Sequence, residues 1–390
     1  MAIDRDRIGR DAFDLAPLLG DVARRIHENP ELRFEEHRAC GWLADEAERA
    51  GAHVERGAGG LQTAFRATIG KGDGPHIAIL AEYDALPEIG HACGHNLIAA
   101  GALGAFLLLS RQAEALGGRV DLVGTPAEEG GGGKIKLLEA GVFAGVDAAM
   151  MFHPFDRDLL AHPTLANCYI TFRFRGKASH AAVAPWDGTS ALTACLETFR
   201  LIDSQRVHFR DGVRVHGFVT DGGAAVNIIP ERAAAEFSVR APQLPELARV
   251  RAIVERCARG AALACGALVE IEARDGYRNM VNNLAMARAF GRHLGTLGRD
   301  AREVDPDVGT GSTDMGDISH AMPSIHPWIA ICGAGEATCH QRAFAACANG
   351  PTGRAGMMAA AEAMAKTTAD LLEDAALRDE VKREFEARSR

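Results

Sequence analysis

The sequence predicts an α/β domain interrupted by a smaller, inserted α+β domain, and three observations carry that reading. Residues 77–81 and 148–152 are short apolar runs with the length and bulk of buried parallel strands, and 119–123 (RVDLV) reads as another buried strand. From residue 167 polar and apolar positions alternate instead, as in half-exposed antiparallel strands. Near residue 282 the α/β character resumes. At 390 residues the chain is also too long for one compact core.

Residues 14–50 read as helix, loop and helix, broken at the proline of HENPELRFEE (27–36). The strand 77–81 opens into a loop carrying Glu82, Asp84, Glu88, His91, Cys93 and His95, and a helix over 97–109 follows. The strand 119–123 runs into GTPAEEGGGGK, where Glu128 and Glu129 stand side by side. Residues 134–140 then make a short helix stopped at Gly141. The strand 148–152 delivers His153 at once. Open α/β sheets place their active sites beyond the carboxyl ends of such strands.

Between 167 and 273 come a strand, a helix (188–202), strands over 213–219 and 233–240, a helix (244–265) and a strand (267–273). That order is a ferredoxin-like split βαβ unit. A helix over 285–297, the loop GTGSTDMGD (309–317) and a strand at 328–331 leading to His340 follow. A helix over 354–372 closes the fold, and the charged tail beyond 373 reads as a solvated helix or a disordered segment. The expected domains are therefore 1–166 with 275–390, and 167–274.

A hydrophobic content of 47% with 24% charged residues is ordinary globular usage. A net charge of −9 argues against nucleic acid and anionic membranes as partners, since both want a basic face. Nine cysteines, an odd number without a framework, imply reduced thiols and a cytoplasmic protein. The first residues have no apolar signal region, and no stretch approaches the 18 or so apolar residues of a spanning helix.

Cys93, His95, Glu129, His153 and His340 collect at strand ends, with Asp84 behind them. Nitrogen, oxygen and one thiolate suit zinc, manganese or cobalt and not calcium or magnesium. Five donors allow one ion or two. Glu128 beside Glu129 lets one carboxylate ligate while the other takes a proton from water polarised by the ion, as metal-assisted hydrolysis requires.

AEYDALPEIGHACGHN, GTPAEEGGGG, GKASHAAVAPWDGTSAL, NIIP, GSTDMGDISHAMPSIHP and the late TCH resemble metallopeptidases of the aminoacylase and glutamate-carboxypeptidase type. More narrowly they are similar to the aminobenzoyl-glutamate hydrolase and dipeptidase-like amidohydrolase branch. The resemblance runs from HENPEL to the closing helix. It implies a zinc-exopeptidase-like catalytic domain in two segments, an inserted dimerisation or lid domain, one or two divalent ions, and hydrolysis of an amide bond in a small molecule. By position it makes Cys93, His95, Glu129, His153 and His340 the ligands, Glu128 the general base, and Asp84 a carboxylate that orients a ligand. It makes His180 a group reaching across a homodimer to the tetrahedral oxyanion, helped by Asn227. The chain departs from the wider family at Glu82, where many members carry a ligating histidine, and at Asn96, where sister branches carry aspartate.

Rival readings are a Cys93 nucleophile activated by His95 or His91, hydrolytic deamination of an aromatic amine by the same site, and a silent binding protein that keeps the fold. His91, His320 and His326 have no chemistry assignable from spacing, and Trp186 and Trp328 read as packing groups.

Overall fold

The computed structural model describes residues 2–388. The chain divides into two compact units. One contains the chain up to Pro163, Met280–Thr310 and the part from Asp314 on; the other contains Thr164–Asn279 and Gly311–Thr313. The return of Gly311–Thr313 to the second unit is anchored by Leu165, whose N–H donates to the Gly311 carbonyl at 2.8 Å.

In the first unit α1 (Arg5–Glu28) and α2 (His37–Arg49) precede an antiparallel pair, β1 (His53–Arg56) and β2 (Phe65–Gly70). The helix begins nine residues before the expected position 14, because Asp4 caps it by accepting from the Arg7 N–H. The pair escapes sequence reading because β1 is largely exposed and β2 buries only alternate residues. The next elements are β3 (His76–Glu82), α3 (His95–Ser110), β4 (Arg119–Thr125), α4 (Gly133–Glu139), β5 (Ala148–Met150) and β6 (His153–Phe155). Strand β3 is buried along its whole length. Ile77, Ile79 and Ala81 face one apolar cluster, Ala78 and Leu80 the other, which is why its sequence shows no alternation. Helix α3 is buried from His95 to Leu109 and lies against α1.

The second unit runs β7 (Ala166–Arg175), α5 (Ala191–Gln205), β8 (Arg214–Asp221), β9 (Arg232–Ala241), α6 (Leu244–Cys265) and β10 (Leu268–Asp275). Its sheet has the order β10-β7-β9-β8 with every pair antiparallel, the ferredoxin-like arrangement. Helices α5 and α6 close one face over Phe172, Phe237 and Val239. The two ends of the unit are stitched together: Cys168 pairs with Asp275, and Asn167 exchanges backbone hydrogen bonds with Gly276 and Tyr277. The Asn167 Oδ1 also accepts from the Tyr277 N–H at 2.6 Å.

The chain then completes the first unit with α7 (Leu284–Thr296), α8 (Met315–Ala321), β11 (Ser324–Ile325), β12 (Trp328–Ala330), α9 (Arg342–Ala348), α10 (Pro351–Glu373) and α11 (Ala375–Ala387). The main sheet has the order β1-β2-β4-β3-β5-β11, parallel from β4 to β11. Strand β12 is not part of it. It pairs in parallel with β6 in a separate two-stranded sheet that continues the path of β5 and β11. The tail beyond Glu373 is helical and packed: α11 buries Leu377 and Val381, and its Glu384 accepts from the Leu284 and Ala285 N–H groups that open α7. No helix among the described residues is long and apolar enough to cross a membrane.

Asp370 on α10 ties three helices, with Arg5 of α1 at 2.8 Å and His293 of α7 at 2.7 Å. Burial alone would raise its pKa, but His293 and Arg5 together hold it below the ordinary carboxylate value. A depressed carboxyl stabilises the fold above its unfolded pKa of about 3.9 and stops doing so as pH falls through the lower folded value. Asp370→Asn is expected to cost about 1–3 kcal/mol at pH 7, with the gap to the parent closing below about pH 4, in urea unfolding at both pH values.

Candidate metal centre

Strands β4, β3 and β5 are parallel neighbours, so the residues that follow them emerge at one end of the sheet. After β3 the chain passes Asp84, turns back on itself at Leu86 and Gly90, and enters α3. Cys93 and His95 flank Gly94, which sits at φ 79° with its missing Cβ position 2.8 Å from Pro154. No side chain fits there, and the left-handed turn aims thiol and imidazole at the same region. His95 is thus the first residue of the helix, not a loop residue as expected.

Asp84, fully buried, organises the near side. The His95 Nδ1 donates to its backbone carbonyl at 2.8 Å and lies 3.1 Å from its Oδ1. Its Oδ2 accepts from the Glu129 N–H at 2.9 Å. Burial disfavours the Asp84 carboxylate, yet His95, then the Glu129 N–H, hold its pKa below the ordinary value. The loop after β4 has Ala127 at φ 61°, a conformation that costs a residue with a Cβ and is fixed by Glu36, which accepts from the Ala127 N–H at 2.9 Å. On the far side the His153 Nδ1 donates to the Pro154 carbonyl at 2.8 Å, leaving Nε2 3.5 Å from the Cys93 Sγ. His340, itself at φ 68°, is pinned by its N–H to the Ala92 carbonyl and lies 3.2 Å from Glu129.

The donors fall into overlapping triplets, Cys93/His95/His153, Cys93/Glu129/His340 and His95/Glu128/Glu129, each with its donor atoms within 4.8 Å of one another, and Glu82/Glu128/Asp314 form a fourth such group behind them. Donors about 2.0–2.3 Å from one ion span just such separations. Cys93 belongs to the first two of these groups. His95 Nε2 is buried without a hydrogen-bond partner and Glu129 Oε1 faces the His340 Nε2 at 3.2 Å, so the set turns its donor atoms toward one another as a metal site does. The neighbouring Cys339 thiol, burial and then Glu129 and Glu128 push the Cys93 thiol well above its ordinary value. A divalent ion held there would reverse that bias.

Glu128 is buried, and burial, then Glu82, Glu129 and Asp314, push its pKa well above the ordinary carboxylate value. His180 and Asn227 lie in the second unit, on two exposed segments joined by a bridge between His180 and Ile228 and by the Ala181 N–H on the Asn227 carbonyl. The His180 Nδ1 accepts from the N–H groups of Ala182 and Val183, which leaves the ring proton on Nε2 as a donor. His326 packs 5.5 Å from His153, and burial followed by His153 pushes its pKa well down. His91 is held neutral by burial, its pKa lowered to about 3. Trp328 is buried against Phe155 and His162, and Trp186 is exposed.

Sequence reading missed a buried ion network behind the donors. The Lys134 ammonium pairs with Glu82 and, at 2.7 Å, with Asp314, and all three side chains are fully buried. The signals were present: a carboxylate ending a buried apolar strand, and a lysine directly after a glycine run.

An α/β sheet that gathers these donors beside a further buried carboxylate, Glu128, is the arrangement of a metal-dependent hydrolase acting on C–N bonds. The chain belongs to the peptidase family M20/M25/M40, whose sequence profile matches residues 78–367. It is 37% identical over 391 residues to the Xaa-Arg dipeptidase of Mus musculus, covering 96% of this chain and 90% of the relative. It is 31% identical to a component of the p-aminobenzoyl-glutamate hydrolase of Escherichia coli (strain K12), covering 94% and 91%. A Bacillus subtilis peptidase of the M20 family, described as dinuclear metal binding, shares the fold with a TM-score of 0.75 at 24% identity, over 92% of this chain and 99% of that one.

Burial raises the Glu36 pKa to about 7, although its Oε1 serves the loop before Glu128. A carboxyl raised in the fold favours folding while protonated. That contribution is complete below the unfolded value of about 4.3 and is lost as pH rises through the folded one. Glu36→Gln keeps the acceptor for Ala127 and removes the ionisation. Its thermal stability is expected to match the parent near pH 4, to pull ahead as pH rises to about 7, and to keep a constant lead above that, in unfolding scans across the range.

Proposed function

We propose that the protein hydrolyses an amide bond in a small N-acyl amino acid, an aminobenzoyl-glutamate-like conjugate or a dipeptide. The observation that carries this reading is the Cys93-centred double triplet with Glu128 adjoining Glu129. Cys93, His95, Glu129, His153 and His340 would hold one or two ions of zinc, manganese or cobalt, a choice the mixed thiolate, nitrogen and oxygen donors support. When bound, such an ion polarises the amide carbonyl and acidifies water. Glu128 takes the proton of the attacking water and returns it to the departing nitrogen, a task suited to a buried carboxyl whose proton affinity burial has raised above the ordinary value. Asp84 fixes the His95 ring and the Glu129 backbone. The His180 Nε2–H, with Asn227, stabilises the oxyanion that forms on the carbonyl.

The names of the relatives, a dipeptidase and an aminobenzoyl-glutamate hydrolase, favour amide cleavage over deamination of an aromatic amine. Nine unbridged cysteines support a reducing, cytoplasmic setting. The second unit is the dimerisation module, and the active form is a homodimer.

Chelation is expected to abolish turnover, with recovery on adding zinc, manganese or cobalt. Glu128→Gln should retain metal and lose about 10²–10⁴-fold in kcat, whereas Glu129→Gln, His153→Ala and His340→Ala should lose metal, by metal analysis of the purified variants. Exchange of the Glu128 and Glu129 outcomes would exchange their roles. His180→Ala should cut turnover with metal retained, and its heterodimers with Glu128→Gln should regain activity, because one of the two sites then has both groups. Heterodimers that form and stay inactive would place His180 in its own subunit's site or outside catalysis.

A further inference from the structure

Glu82 closes β3, the strand that leads into the donor loop, and it is not idle. It is fully buried and divides its two oxygens between two environments. One oxygen accepts from the Lys134 ammonium. The other lies 3.5 Å from the His95 Nε2, the ligating nitrogen of that ring, and neither atom has a hydrogen-bond partner. Two buried donors at that separation, both unpartnered, can share one cation.

Lys134 decides whether they do. Its Nζ is held by Asp314 Oδ1 at 2.7 Å, and its own N–H donates to Asp314 Oδ2 at 3.0 Å, so backbone and side chain of one residue grip both oxygens of another. Gly133 makes that grip possible: a Cβ there would come within 1.8 Å of the Pro126 carbonyl, so the start of α4 lies tight against the loop that carries Glu128 and Glu129. Glu82, Glu128 and Asp314 bring carboxylate oxygens within 4.8 Å of one another, and the ammonium faces this cluster. A lysine buried without counter-charge would lose its proton, but Asp314, Glu82 and Glu128 keep this one charged.

We propose that Lys134 is a positioning residue, an internal cation clamped by Asp314 that holds the Glu82 carboxylate out of the metal's coordination shell and so keeps a coordination position open beside Glu128. This rests on the reading of the Cys93 cluster as the metal centre and of Glu128 as the base. Without the ammonium, Glu82 turns its charge to the nearest remaining cation, the ion on His95. The ion gains a carboxylate and loses the open position that hydrolysis needs.

The test uses cobalt as probe metal in the full-length protein, because its visible bands report coordination number. Lys134→Gln is expected to bind cobalt more tightly, to show weaker visible bands as coordination rises, and to lose about 10–100-fold in kcat with KM little changed. The double variant Lys134→Gln with Glu82→Gln conserves net charge, and is expected to regain the parent's cobalt spectrum and most of its turnover. An ordinary structural ion pair predicts the opposite for the single variant, unchanged or weakened cobalt binding, and that result overturns the proposal. So does a double variant with altered bands. If the single variant does not fold, the double variant decides alone by its spectrum. Loss of the Glu128 assignment would appear in Glu128→Gln as retained turnover, without moving the cobalt bands of Lys134→Gln, so the two failures are distinguishable.

Discussion

Negative charge is packed into the carboxyl end of the central strands more densely than a protein interior tolerates without cations. Glu82, Asp84, Glu128, Glu129 and Asp314 converge there with the Cys93 thiol, nearly all of them buried. Placing even one carboxylate in such surroundings costs several kcal/mol unless it is paired. Two devices answer the excess. Lys134 neutralises part of it from within the chain, and the donors around Cys93 present the rest to metal. The pKa of His95 reports the same field: burial would lower it, but Asp84, Glu82 and Glu129 raise it well above the ordinary value. An imidazole in that field attracts a proton when no ion competes for it.

The geometry of the donors is held by backbone contacts more than by side-chain packing. Asp84 grips one donor through its ring and another through its main chain. Glu36, from the loop between the first two helices, holds the amide of Ala127 in a left-handed turn. Both carboxylates therefore act on Glu128 and Glu129 without touching their functional oxygens. Errors in such supports are felt at the site as displacements, and catalysis responds steeply to small ones.

Much of this was legible in the chain. Apolar runs marked β3 and β5, and the Val120, Leu122 and Val123 of RVDLV marked β4, because strands buried on both faces need no strict alternation, and the donors followed those segments closely. The α/β class and the family followed from those segments. What escaped had physical reasons. Strands β1 and β2 sit at the sheet edge, where exposure weakens the apolar signal. Strand β12 has the composition of a core strand but pairs with β6, a choice made by tertiary context. The α11 tail looked solvated because charged residues dominate it and only Leu377 and Val381 of its side chains are buried. The partnership of Lys134 with residues 52 and 180 positions away could not be read from local pattern at all.

The stitched neck of the second unit bears on how such a chain is assembled. Because Cys168 and Asp275 are paired across adjacent strands, the 110 or so residues between them begin and end at nearly one place, like a bead threaded at a single point. Closing a long flexible loop costs entropy that grows slowly with its length, but a folded module with touching termini presents the host with a gap of only a few ångströms. The host sheet can thus tolerate the module as it would a hairpin turn. The strands that aim the donors therefore keep their pairing whether or not the module between residues 168 and 275 is counted as part of their path.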